Sequence, residues 1–136
     1  MKKSILVVDD DASVRKSIAT VLTSENYLTQ LGRNGKEALE ILANNHVDLI
    51  LLDLNMPVKD GWQTFSSLSF EHPKIPIIII TARSNQLFSA LAAGVAGLME
   101  KPLDFPKLLQ TIGALLSESA EARLTRTAGQ HSLFKK

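Results

Sequence analysis

Three consecutive acids, Asp9, Asp10 and Asp11, follow the apolar run from Ile5 to Val8, and a fourth, Asp53, follows Val47 to Leu52. Thr81 ends the run Ile77 to Ile80 in the same manner, and Gly97 to Met99 leads into Lys101. Carboxylates gathered in one place repel one another, and burial raises their pKa values unless a cation compensates. A hard divalent ion provides that compensation. Mg²⁺ takes oxygen ligands, keeps several waters, and is usually held by one or two carboxylates plus a phosphate oxygen. With no histidine or cysteine beside these acids, Mg²⁺ or Mn²⁺ suits them better than zinc. Such an ion makes an acidic pocket able to accept phosphate and neutralises charge growing on a transferring group. Phosphoryl transfer asks the protein mainly for positioning and charge stabilisation, and an aspartate can act as the nucleophile, forming an acyl phosphate. Asp53 is the candidate nucleophile; Thr81 and Lys101 are candidate partners for phosphoryl oxygens. Taken singly, each residue has a plainer role. Asp11 is placed to cap the helix that follows, Asp9 and Asp10 suit a solvated turn, Thr81 suits a strand end and Lys101 a surface. The joint placement of all of them after apolar runs is what argues for a site.

The elements that must position these groups are legible from periodicity. Ile5 to Val8 is short, β-branched and without polar alternation, as a strand buried on both faces should be. Val14, Ile18, Val21 and Leu22 recur at helical spacing and predict a first helix ending near Asn26. Tyr27 to Leu31 reads as a weaker strand, and Asn34-Gly35 as a turn before a second helix carrying Ala38, Leu39, Ile41 and Leu42. Val47 to Leu52 is the third strand. Pro57 and Gly61 punctuate the loop beyond Asp53, and Trp62, Phe65 and Leu68 share one side of a third helix. Ile77 to Ile80 is the most strand-like run. A fourth helix over about Asn85 to Ala93 and a short strand from Gly97 to Met99 follow. The last helix carries Phe105, Leu108, Leu109, Ile112, Leu115 and Leu116, with Asp104 as its cap. Five strands alternating with five helices predict an α/β fold: a doubly wound, flavodoxin-like (βα)5 domain whose parallel sheet carries helices on both faces. Ligands of such sheets bind outside the carboxyl ends of the strands.

Composition sets the remaining bounds. The 136 residues are 45% hydrophobic and 21% charged, which suits one domain over 1–117 with a real core and no second domain. Cysteine is absent, which excludes disulfides, thiolate metal sites and cysteine nucleophiles and agrees with a cytoplasmic location. His46, His72 and His131 are scattered without ligand spacing. The net charge is +1, but residues 118–136 hold Arg123, Arg126, Lys135 and Lys136 against two acids, so the body is slightly acidic. That balance lacks the strong basic field of a nucleic-acid binder. No apolar stretch matches a signal peptide or membrane span. Residues 118–136 lose the apolar period and read as a helix extension or flexible basic tail.

Several stretches together resemble the receiver domains of bacterial two-component response regulators. They are Ile5-Leu-Val-Val-Asp-Asp-Asp11, Leu51-Leu-Asp-Leu-Asn-Met-Pro57 with Gly61, Ile78-Ile-Ile-Thr-Ala82 and Lys101-Pro102, with Asn34-Gly35 and Glu37-Ala-Leu39 at the second helix. The resemblance covers roughly Lys3 to Ser117. It implies that Asp53 is the phosphorylated aspartate and that Asp9 and Asp10 bind Mg²⁺ with Asp53. It also implies that Asn55 adds a backbone carbonyl ligand, that Thr81 and Lys101 contact the phosphoryl group, and that the Lys101–Pro102 peptide is cis. A histidine kinase or histidine phosphotransfer protein would be the donor. A downstream protein target or effector domain would read the face of the fourth helix, fifth strand and fifth helix, through a shift between two states. The resemblance leaves room for a homodimer, and for a stand-alone receiver as well as a piece of a longer regulator.

One departure concerns the position three residues before Lys101, where the family usually has Tyr or Phe and this chain has Leu98. Leucine has neither ring nor hydroxyl, so the expectation is a weakened or rewired coupling between Thr81 and the output face. Partner affinity in Leu98→Tyr, with and without a phosphoryl mimic, measures it. Arg83 is close enough in sequence to Thr81 to overhang the pocket and, with Asn55, to govern water access to an acyl phosphate. Three other functions compete. A phosphatase of the haloacid dehalogenase type would want an acid where Asn55 stands, and its nucleophile after the first strand. A flavodoxin would want small and hydroxyl residues in the acidic first loop. A phosphorylation-independent binding module would not need the intact set Asp9, Asp10, Asp53, Thr81 and Lys101.

Overall fold

The computed structural model describes residues 2–54, 58–82 and 95–117, with the backbone alone for 58–60. Five strands, β1 (Ser4–Val8), β2 (Leu28–Gly32), β3 (Leu49–Asp53), β4 (Ile77–Thr81) and β5 (Gly97–Glu100), form one sheet in the order β2-β1-β3-β4-β5. All four pairings are parallel. Among the described residues there are four helices: α1 (Ala12–Ser24), α2 (Gly35–Asn44), α3 (Val58–Glu71) and α4 (Phe105–Leu116), the last being the fifth helix of the sequence reading. The helix expected over about 85–93 lies outside the described residues, as do Asn55, Arg83 and residues 118–136.

Strand alternation divides the core into two clusters. Leu6, Val8, Ile50, Leu52 and Ile79 pack against Ala38 and Leu42 of α2 and Phe65 and Leu68 of α3. Ile5, Val7, Leu49, Leu51, Ile78 and Ile80 pack against Ile18 and Leu22 of α1 and Leu108, Ile112 and Leu115 of α4. The central strands are apolar without alternation because both of their faces are covered. Edge strand β2 is different. Leu28 and Leu31 are exposed while Gly32 is buried, which is why its apolar signal is weaker.

The helix ends follow from side-chain capping. Asp11 precedes α1 and accepts the backbone N–H groups of Ser13 (2.9 Å) and Val14 (3.3 Å). Asn34 caps α2 through the Glu37 N–H at 2.9 Å, and Asp104 caps α4 through the Lys107 N–H at 3.1 Å. These oxygens satisfy donors that the helix itself leaves free. Several boundaries differ from the sequence reading, among them β3, expected from Val47 and observed from Leu49. α1 stops at Ser24, with Asn26 at φ 71°, and β2 begins at Leu28 because its pairing places Leu28 opposite Ser4. Gly61, expected to punctuate a loop, lies within α3. A Cβ there would come within 2.9 Å of the Leu54 side chain, so glycine lets the helix close on the segment after Asp53.

Candidate functional site

The switch point of this sheet lies between β1 and β3, the adjacent strands whose chain continues toward opposite edges. Asp9 follows β1 and Asp53 ends β3, so the two acids flank that crevice. Thr81 ends β4 alongside. Asp9, Asp53 and Thr81 are buried to 1%, 2% and 1% exposure, a depth that polar groups reach only with a reason. Asp10 stays exposed. The backbone N–H of Lys101 donates to the Thr81 carbonyl at 2.9 Å, which fixes where the lysine leaves the sheet. Its Nζ then stands 3.4 Å from Asp53 Oδ2. The Lys101–Pro102 peptide is cis, as the resemblance implied.

Each site carboxylate has a different environment. Asp11 accepts the Ser13 hydroxyl and the N–H groups of α1, which hold it below the usual carboxylate range, so the sequence reading of it as a cap is correct. Asp9 is pushed the other way, up to about 6, first by burial and then by the facing Asp53 carboxylate. The Asp11 N–H at Oδ1 (2.9 Å) and the Lys101 charge oppose that rise without cancelling it. Asp9 Oδ2 is buried and, among the described residues, meets no hydrogen-bond donor. The orphaned acceptor and the raised pKa have a common origin: burial of a carboxylate beside a second one.

Oxygens of Asp9, Asp10 and Asp53 come within 4.8 Å of one another, close enough to share an ion. An all-oxygen donor set, partly buried, with one acceptor unsatisfied, suits a hard divalent cation. The structure thus brings Asp9, Asp10, Asp53, Thr81 and Lys101 to one end of the sheet. Leu98 lies on β5 opposite Ile79, half-buried against the cluster shared with α3. Arg15 escaped the sequence reading. Its Nη1 donates to the Asp9 carbonyl at 2.6 Å, a contact that nothing in residue type or spacing announces.

Comparison with known proteins agrees with this geometry. A family model described as the response regulator receiver domain matches residues 5–113. Response regulator MprA of Mycobacterium sp. (strain KMS) is 36% identical over 122 residues, 88% of this chain and 53% of that protein. Transcriptional regulatory protein GlrR of Escherichia coli K12 is 37% identical over 120 residues, 87% of this chain and 27% of that protein. The chain thus spans about half the length of the first relative and about a quarter of the second. Among solved structures, a CheY-like receiver domain protein from Methanospirillum hungatei JF-1 superimposes with a TM-score of 0.80 at 27% identity, covering 90% of this chain and 98% of that one. Response regulator TrrA of Thermotoga maritima, solved in complex with Mg(2+)-BeF, gives 0.76 at 28% identity over 83% of this chain and 98% of that one. With the family matched over residues 5–113 and the fold shared with solved receiver domains, this chain belongs to the receiver domains of two-component response regulators.

Proposed function

We propose that this receiver accepts a phosphoryl group on Asp53, in a reaction that requires Mg²⁺ or Mn²⁺ held by the carboxylates of Asp9, Asp10 and Asp53 and the backbone carbonyl of Asn55. The observation that carries the reading is the pairing of a buried Asp53, 3.4 Å from the Lys101 ammonium, with the donorless Oδ2 of Asp9 in the same acid cluster. An Asp53 carboxylate oxygen attacks phosphorus, the bond from phosphorus to the donor's imidazole nitrogen breaks, and the electron pair leaves with that nitrogen. Lys101 pairs with one phosphoryl oxygen and Thr81 donates its hydroxyl to another, each replacing charge or hydrogen bonds that water would supply. When bound, the dication neutralises negative charge on the transferring group and relieves the repulsion between Asp9 and Asp53. The burial of Asp53 and Thr81 limits water around the acyl phosphate.

The donor is a histidine kinase or a histidine phosphotransfer protein, and the output is a protein target or an effector domain. The protein acts in the cytoplasm as a regulatory unit over 1–117, followed over 118–136 by a helix extension or flexible basic tail. It turns over only its own phosphoryl group and binds no nucleic acid through this domain. No described helix is long and apolar enough to cross a membrane. Intact-mass spectrometry after incubation with acetyl phosphate and Mg²⁺ tests the reading. Wild type should gain an acid-labile adduct that needs Mg²⁺, and Asp53→Ala should gain none; absence of the adduct in wild type overturns the proposal.

Leu98 favours a second reading, a receiver-like module that binds its partner without switching. Its half-buried leucine already packs against the core and offers no hydroxyl at a surface. NMR shifts on phosphorylation that stop at the site and leave α4 unchanged would select that reading.

A further inference from the structure

Asp9 is held at three points. Its N–H donates to the Gly32 carbonyl at 3.1 Å, its Oδ1 accepts the Asp11 N–H at 2.9 Å, and its carbonyl accepts Arg15 Nη1 at 2.6 Å. Together they leave one polar atom uncommitted, the buried Oδ2 in the acid cluster. The first two contacts come from main-chain groups. Among the described residues, Arg15 is the one anchor made by a side chain, and so the one that substitution can remove without altering Asp9.

The arginine has its own support. Arg33 follows Gly32 and grips Glu37 through Nε at 2.9 Å and Nη2 at 2.7 Å, while its N–H donates to the other Glu37 oxygen at 2.8 Å. Glu37 is held below the usual carboxylate range chiefly by Arg33, with a smaller contribution from the charge of Arg15. The Glu37 carboxylate thus lies near enough to feel the Arg15 charge and offsets a small part of it.

We propose that Arg15 is a positioning residue for the metal site, holding the main chain of Asp9 so that Oδ2 faces the cation. This rests on the reading of Asp9 as a metal ligand. Two physical effects of Arg15 have opposite signs, which makes the inference decidable. A guanidinium near the cleft repels a dication, so its field alone weakens Mg²⁺ binding. Its charge-assisted hydrogen bond orients a ligand residue, which strengthens binding. Glu37 offsets part of the field, and the hydrogen bond remains.

The experiment is calorimetric titration of Mg²⁺ into the full chain, using wild type, Arg15→Ala, Arg15→Gln, Arg15→Lys and Lys16→Ala. Lys16 is exposed on the same helix, so its removal takes away an equal charge without touching Asp9. Partners that orient metal ligands are typically worth about ten- to a hundredfold in affinity. Because Arg15 grips a carbonyl rather than the liganding carboxylate, the loss in Arg15→Ala should sit near the lower end, about tenfold. Arg15→Gln should fall between it and wild type, Arg15→Lys should recover most of the affinity, and Lys16→Ala should match wild type. Metal-free Arg15→Ala should keep the wild-type circular dichroism and a cooperative urea transition, which a general loss of structure would not allow. Should Arg15→Ala fail to fold, the Gln and Lys variants carry the comparison. Mg²⁺ binding by Arg15→Ala and Arg15→Gln equal to or tighter than wild type overturns the inference while leaving the site intact. A wild type that binds no Mg²⁺ overturns the site and the inference together.

Discussion

The two ends of this sheet treat buried polarity in opposite ways. At the amino end, Asp48 accepts the Ser4 N–H at 2.8 Å and stands 2.7 Å from His46 Nε2. Gln30 bridges the Ser4 hydroxyl and the His46 carbonyl at 2.9 and 3.2 Å. Burial alone would raise the Asp48 pKa, but the Ser4 N–H and the His46 ring hold it below the ordinary value. At the carboxyl end, Asp9 is pushed up to about 6 and keeps an acceptor without a donor. The strands and the residue types are comparable, although the Asp48 side chain keeps 16% exposure and Asp9 is fully buried. The difference is that one end completes its hydrogen bonds within the chain, whereas the other leaves a deficit that a ligand can fill. Unsatisfied buried polarity is costly, so its concentration at one end points to function there.

The strongest way to break this contrast is to supply the cation. Mg²⁺ at a hundred times its Kd should raise wild-type stability by about 2.7 kcal/mol, read as a shift of the thermal or urea midpoint. Asp9→Asn should lose that response and Asp48→Asn should keep it; the reverse pattern would place the open end wrongly. A smaller effect separates the two ends without metal. Asp48→Ala leaves the Ser4 N–H without its acceptor and should cost about 1–3 kcal/mol in urea unfolding. Asp9→Asn should instead gain stability at neutral pH, because it removes a charge that the fold penalises.

The third test is the pH slope, which has opposite signs at the two ends. The folded Asp9 pKa lies above its ordinary 3.8, so the unfolded chain releases the proton first as pH rises. Metal-free stability attributable to Asp9 therefore falls between about pH 4 and pH 6, and the penalty is complete above about 6. The folded Asp48 pKa lies below the ordinary value, so its contribution is present above that value and lost as pH falls through the folded one. Wild type minus Asp9→Asn should grow more negative from pH 4 to 6, while wild type minus Asp48→Asn should shrink toward zero below pH 4. Parallel slopes would mean that the two carboxylates are equivalent after all.

Much of the fold was legible because its central strands are buried on both faces. Ile5 to Val8, Leu49 to Leu52 and Ile77 to Ile80 need continuous apolar runs, and few other structures do. Edge strand β2 was read one residue early because half of it faces solvent and its register depends on Ser4 of a neighbouring strand. Gly61 was read as loop because a glycine's packing partner, here Leu54, is invisible to local pattern.

The site divides along the same line. Residue types and order alone named Asp9, Asp10, Asp53, Thr81 and Lys101, since a doubly wound sheet must bring its strand ends to one edge. They also identified Asp11 as a cap, because capping is a local interaction. Only the folded chain decided which Asp9 oxygen is left over, that Arg15 holds its carbonyl, and that Asp48 is satisfied where Asp9 is not. The pairing of Asp48 with Ser4 joins groups far apart in sequence, which no local spacing encodes; Arg15 lies only six residues from Asp9, but no residue type marks a side chain that will hold a main-chain carbonyl.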